Sequence, residues 1–139
     1  MRGDKKAFQR EEVRVFTVIG AIAVAIIVLF GAVLMLNKIP SGSMETTIMT
    51  GDLVVSTRYD ADDIERYDIV VFYFPDDPEL IYIKRVIGLP GETITVENGN
   101  VYADGVLLDD SFVNGEMDSS GDGIYEVPEG FYFMLGDNR

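Results

Sequence analysis

From Val15 to Leu36 the chain reads VFTVIGAIAVAIIVLFGAVLML, 22 residues without a single charge. As a helix that run is about 33 Å long, close to the hydrocarbon thickness of a bilayer. A cleaved leader carries a shorter apolar core followed by a small-x-small site, whereas this run ends in VLMLNK. The rest of a 139-residue chain is too small to surround such a helix on every side. The run therefore predicts a transmembrane anchor over residues 15–36. Charge sets its direction: MRGDKKAFQREEVR before it holds five Lys/Arg, and the far flank begins with Lys38 alone. The cationic side stays in the cytoplasm, so residues 1–14 are expected inside the cell and residues 38–139 outside it, on the surface of the membrane.

Beyond the anchor, 21 Asp/Glu stand against six Lys/Arg, a formal charge of −15. Such a surface offers nothing to neutralise phosphates, which excludes a nucleic-acid partner. There is no Cys and no His in the chain. Disulfide scaffolds, thiol nucleophiles, Cys/His zinc sites and any Ser-His-Asp triad are excluded with them. Hydrolytic chemistry in this domain needs Ser or Thr as nucleophile. Its base must be Lys, a carboxylate, Tyr, or water on an oxygen-ligated metal.

After Lys38 the pattern turns to short β-type runs separated by turn signals. DLVVST (52–57), YDIVVFYF (67–74) and LIYIKRVIGL (80–89) are rich in β-branched and aromatic residues, with PDDP (75–78) and PGE (90–92) as breaks. TITVENGNVYADGVLL (93–108) reads as a meander with hairpin turns at Asn98-Gly99 and Asp104-Gly105. A polar stretch, 109–123, precedes IYEV and GFYFMLGDNR. The outer domain is predicted to be mostly β, a small barrel or folded sheet. Its last run reaches a Gly-Asp turn signal as the chain stops at Arg139. An edge strand without its next neighbour is the expectation there, as in a domain incomplete at its C-terminus.

The outer part has two lysines. Lys38, at the membrane exit, is placed to snorkel into headgroups. Lys84 lies inside a strand, sharing a face with Tyr82 and Val86, while Ile81, Ile83, Arg85 and Ile87 take the other. If its face is buried, desolvation lowers the pKa toward the range of a general base, which an arginine could not reach. If the face is open, Lys84 is an ordinary solvated or salt-bridged lysine. In IPSGSMETT (39–47), Gly42 allows close backbone approach beside Ser43, and Ser41 could donate a hydroxyl to an oxyanion. The same residues would also serve as a flexible spacer. A serine activated by a lysine is the familiar nucleophile-base pair that this composition leaves open.

IPSGSMETTIMTGD, YIKRVIGLPGE and GDNR, in that order behind an N-terminal anchor, resemble three signature boxes of the bacterial type I signal peptidases. These are membrane-anchored Ser/Lys endopeptidases that remove signal peptides from exported preproteins. The resemblance covers residues 39–139 and implies roles residue by residue. Ser43 would be the nucleophile and Lys84 the base that takes its proton and passes it to the leaving amine. The backbone N–H of Ser43 and the hydroxyl of Ser41 would form the oxyanion hole. Met44 would shield the lysine, and Arg85 and Asp137 would form a structural ion pair. It implies no metal or other cofactor. The substrate implied is an extended preprotein segment with small residues at the first and third positions before the cut, added as a strand.

Thr46 stands where the family usually has Pro, and the Ser- and Asp-containing stretch that follows GDNR in the family lies beyond Arg139. The absence of His disfavours the archaeal and eukaryotic branch, and the anchor disfavours a soluble self-cleaving repressor-type protease. A different class of function is a membrane-anchored β-module that binds signal peptides or other extended peptides without cutting them. Residues 118–129, DSSGDGIYEVPE, also place Asp118, Ser120, Asp122, Gly123 and Glu129 at calcium-loop positions 1, 3, 5, 6 and 12. Non-helical flanks and Pro128 favour an ordinary polar loop.

Overall fold

A computed structural model of the chain describes residues 2–75, 77–115 and 121–139, with side chains at all of these except 2–11, 29, 32 and 78. The chain divides into two compact units, residues 1–35 and 36–139. In the first, helix α1 runs Arg2–Val33. Its described apolar side chains are exposed, Phe16 at 73% and Ile27 at 69%, so no packed face distinguishes one side of the helix. Thr17 returns its hydroxyl to the carbonyl of Val13 (2.7 Å), which hides the one polar side chain of the run. Among the described residues no helix is long and apolar enough to cross a membrane.

The helix ends at Val33, three residues before the end of the uncharged run 15–36. Leu34, Met35 and Leu36 belong to strand β1 (Leu34–Lys38), which forms a two-stranded ribbon with β2 (Leu53–Thr57). Asn37 donates to the Ser56 hydroxyl across it (2.9 Å). Apolar composition alone does not separate a helix end from a strand; pairing with β2 decides it.

The second unit is mostly β. A three-stranded sheet has the order β3 (Ile69–Phe74), β4 (Asp77–Gly88), β9 (Phe133–Leu135). A four-stranded sheet has the order β7 (Val106–Leu107), β6 (Asn100–Ala103), β5 (Thr93–Glu97), β8 (Gly123–Glu126). The pairings within these two sheets are antiparallel. Both hairpin turns form where expected, with positive φ at Asn98, Gly99, Asp104 and Gly105. No closed barrel forms among the described residues: β3, β9, β7 and β8 each have one neighbour, and closure needs two for every strand. Ile87, Ile94, Val96, Val101, Ala103 and Val127 make one buried apolar cluster. Ile39, Met44 and Ile83 make a second.

Candidate active site

Ser43 sits on a loop pinched shut at its base. Ile39 N–H donates to the Asp52 carbonyl and Gly51 N–H to the Ile39 carbonyl, both at 2.9 Å, with Gly51 at φ +95° to make the return. Within the loop, Met44 is fully buried against Ile39 and Ile83, and Ile48 N–H donates to its carbonyl (2.8 Å). The loop is thus anchored by the side chain that follows Ser43, on the residue that precedes Lys84. A freely moving Ser/Gly spacer would have neither anchor.

The hydroxyls of Ser41 and Ser43 lie 3.5 Å apart, at the outer limit of a hydrogen bond. Gly42 has a different neighbour from the one its sequence suggests. A Cβ built there would stand 2.9 Å from the Glu45 carboxyl, whose Oε1 accepts from the Thr50 hydroxyl (2.9 Å). The close approach is made by the chain's own carboxylate.

The GDNR box closes on this loop from the other end of the sequence. Asn138 N–H donates to the Ser43 carbonyl (3.1 Å) and its side-chain amide to the Gly42 carbonyl (3.0 Å). A Cβ on Gly136 would fall onto the Ser43 carbonyl oxygen, far inside any allowed contact, and 3.4 Å from Ser43 Cβ. Asp137, with no exposure, accepts from Arg85 Nε (2.9 Å) and Nη2 (2.6 Å) and from the Thr47 hydroxyl (2.6 Å). Burial opposes its ionisation. The hydrogen bonds from Arg85 and Thr47, and the charges of Arg85 and Arg139, outweigh that and hold its carboxyl below the usual range. One carboxylate thereby ties the serine loop, through Thr47, to the lysine strand, through Arg85.

Lys84 immediately precedes Arg85 on that strand. It pairs across the sheet with Val70, which is buried, and its neighbour on the same face, Val86, has no exposure. Its Nζ lies 6.0 Å from the Tyr82 ring centroid. Partial burial pushes the amine below its ordinary pKa. Among the described residues no hydrogen bond or salt bridge reaches the Lys84 amine.

Ser41, Ser43, Met44, Arg85 and Asp137 are therefore brought into one connected assembly, with Lys84 adjoining it along the strand. Thr47 is the member that sequence reasoning missed. The available signal was its hydroxyl in an otherwise apolar stretch, TIM, one turn after Ser43. The calcium-loop reading falls partly on 116–120, outside the described residues. Of its other members, Asp122 accepts from Asn98 N–H (3.3 Å) and the Glu129 carboxylate lies at Gly91. Among the described residues no group of His, Cys, Asp or Glu could hold a metal ion.

The domain is mostly β, and Asp137 ties the loop that carries Ser43 to the strand that carries a partly buried lysine, Lys84. Residues 11–139 match the family described as "Signal peptidase, peptidase S26", and the chain belongs to that family. It is 28% identical to a signal peptidase I of Pseudomonas fluorescens, over 73% of this chain and 51% of that protein. It is 32% identical to a signal peptidase I of Bacillus caldolyticus, over 85% of this chain and 72% of that one. A crystal structure of a signal peptidase I from Enterococcus faecalis covers 55% of this chain at 33% identity, with a TM-score of 0.48 and 79% of its own length aligned. The chain spans about half the length of the Pseudomonas protein.

Proposed function

We infer that the chain acts as a membrane-anchored serine endopeptidase that removes signal peptides from exported preproteins, with Ser43 as nucleophile and Lys84 as general base. One observation carries the reading: Lys84 is a partly desolvated amine, with a lowered pKa and, among the described residues, no carboxylate holding it, one residue from the strand position bonded to the serine-loop assembly. A neutral amine there takes the Ser43 proton as Oγ attacks the scissile carbonyl. The tetrahedral oxyanion is met by the Ser43 N–H and the Ser41 hydroxyl. Collapse breaks the C–N bond, the proton passes from Lys84 to the leaving amine, and water then hydrolyses the acyl-enzyme by the same route.

The substrate of this reading is an extended segment with small residues at the first and third positions before the cut. Helix α1 supplies the anchor, supported by the uncharged run within it and by the five Lys/Arg that precede it. That topology keeps residues 1–14 in the cytoplasm and sets the site where an inserted signal peptide emerges. The test is cleavage of a preprotein with an Ala-x-Ala site in detergent, comparing the chain with Ser43→Ala and Lys84→Ala. Cleavage at the junction that both substitutions reduce by about 10³-fold or more, with the folded state intact, is the expected result. Normal cutting by Lys84→Ala would remove the Ser/Lys mechanism, and binding without cutting by any form would put the peptide-binding module in its place.

A further inference from the structure

The pair Arg85–Asp137 is covered by a segment that none of the three signature boxes contains. Phe112 lays its ring over the Arg85 guanidinium, centroid to Cζ 4.2 Å. Two residues on, Asn114 N–H donates to the Asp137 carbonyl (2.6 Å), and Arg139 N–H donates to the Asn114 carbonyl (3.1 Å). Tyr67 ties down the near side: its carbonyl accepts from Arg85 Nη1 (2.9 Å), its hydroxyl accepts from Asp109 N–H (3.1 Å), and its ring meets Phe112 edge-on at 5.6 Å. Its backbone holds this place at φ +76°, a left-handed conformation that a tyrosine rarely takes. Phe112 and Tyr67 also pack on the apolar cluster around Ile87 and Ile94.

Arg85 is therefore held in its plane by Asp137 and the Tyr67 carbonyl, and on its face by an aromatic ring. Three of the five N–H donors of the guanidinium are engaged, and those fixed acceptors restrict its rotation. Its side chain is 11% exposed and that of Asp137 is 0% exposed. A dry pair of this kind keeps its geometry because water cannot compete for its hydrogen bonds.

We propose that Phe112 is a positioning residue: by covering the Arg85–Asp137 pair it fixes the Ser43 loop through Thr47 and Asn138. This rests on the reading of Ser43 as nucleophile for its catalytic consequence, and on geometry alone for its structural one. Phe112→Leu keeps apolar bulk and removes the ring face; Phe112→Tyr restores it. Amide hydrogen exchange of the whole chain in detergent, followed by segment, is measured beside peptide-cleavage kinetics. In the Leu variant, exchange over 42–48 and 136–139 is expected to quicken about tenfold while 93–103 is unchanged. The kcat should fall about three- to tenfold at constant KM, and the Tyr variant should restore both. Unaltered exchange around Ser43, an equal rise over 93–103, or a raised KM at constant kcat would each overturn the proposal. A wild-type chain that cuts nothing would sink the proposed function alone, because the exchange data still decide whether Phe112 holds the loop.

Discussion

The sheet built from β7, β6, β5 and β8 buries Ile94, Val96, Val101 and Ala103, with Ile87 and Val127 beside them and no charged side chain in the cluster. The Ser43 loop, in the same domain, closes on Asp137, a carboxylate with no exposure and three donors around it. Apolar contact is non-directional, so the first region tolerates small displacements. Hydrogen bonds to a buried carboxylate specify both direction and distance. The first region holds the fold together, and the second holds a serine in place. Phe112 and Tyr67 belong to both.

Matched substitutions separate the two. Asp137→Asn leaves the Arg85 guanidinium buried without its counter-charge, which costs about 3–5 kcal/mol of stability at neutral pH. Ile94→Ala opens a cavity in the apolar cluster and costs about 2–5 kcal/mol. Their pH dependence differs. The folded-state pKa of Asp137 is lowered, so its contribution is fully present above the unfolded value of about 3.9 and is lost as pH falls through the folded one. Protonated Asp137 resembles Asn, so the gap between wild type and Asp137→Asn should begin to narrow below about pH 4 and close only below the folded-state pKa, while the Ile94→Ala gap persists. Urea unfolding in detergent at pH 7 and pH 3 reads both. Equal pH dependence for the two variants would break the distinction.

Alanine placed at two glycines sharpens it further. At Gly136 a new Cβ strikes the Ser43 carbonyl, backbone that cannot swing aside. At Gly88 it strikes Ile94 Cγ1 at 2.6 Å and Phe133 Cβ at 3.0 Å, in the apolar region. Gly136→Ala should lower cleavage about 100-fold, the order expected when a reacting group shifts by an ångström. Gly88→Ala should lower the unfolding midpoint and leave the activity of the folded fraction within about threefold. Active-site titration alongside steady-state rates distinguishes a displaced serine from fewer folded molecules.

What the sequence made legible follows the same division. The strands of the apolar region announce themselves locally, through β-branched runs and the Asn98-Gly99 and Asp104-Gly105 turns, whose positive φ few other residues accept. β1 was hidden, because Leu34–Leu36 continue an apolar run and only pairing with β2 makes them a strand. Sheet closure is equally non-local, which is why a barrel looked as plausible as open sheets. At the site, the serine and the lysine could be picked out by eliminating His and Cys. The Arg85–Asp137 contact spans 52 residues and was available only through family resemblance. Thr47 and Phe112 bear on one carboxylate and one guanidinium, and nothing in their own neighbourhoods says so.

The smallest expected effect tests Lys84, the group proposed as the base. Lys84 has a lowered folded-state pKa because burial penalises the ammonium, so between that value and the unfolded value near 10.4 the unfolded chain binds more protons. The burial penalty is therefore fully present below the folded pKa and is relieved as pH rises through it. Lys84→Met keeps the apolar stem and removes the charge. It should raise the unfolding midpoint at pH 7 by no more than a few degrees, an advantage that shrinks as the pH approaches 10. An ion-paired lysine behaves in the opposite way: its removal destabilises at pH 7, and the loss fades as the amine deprotonates. Thermal unfolding of both proteins from pH 7 to 10 decides between these signs. A stabilised but inactive Lys84→Met would mark Lys84 as a residue kept for chemistry at the expense of the fold.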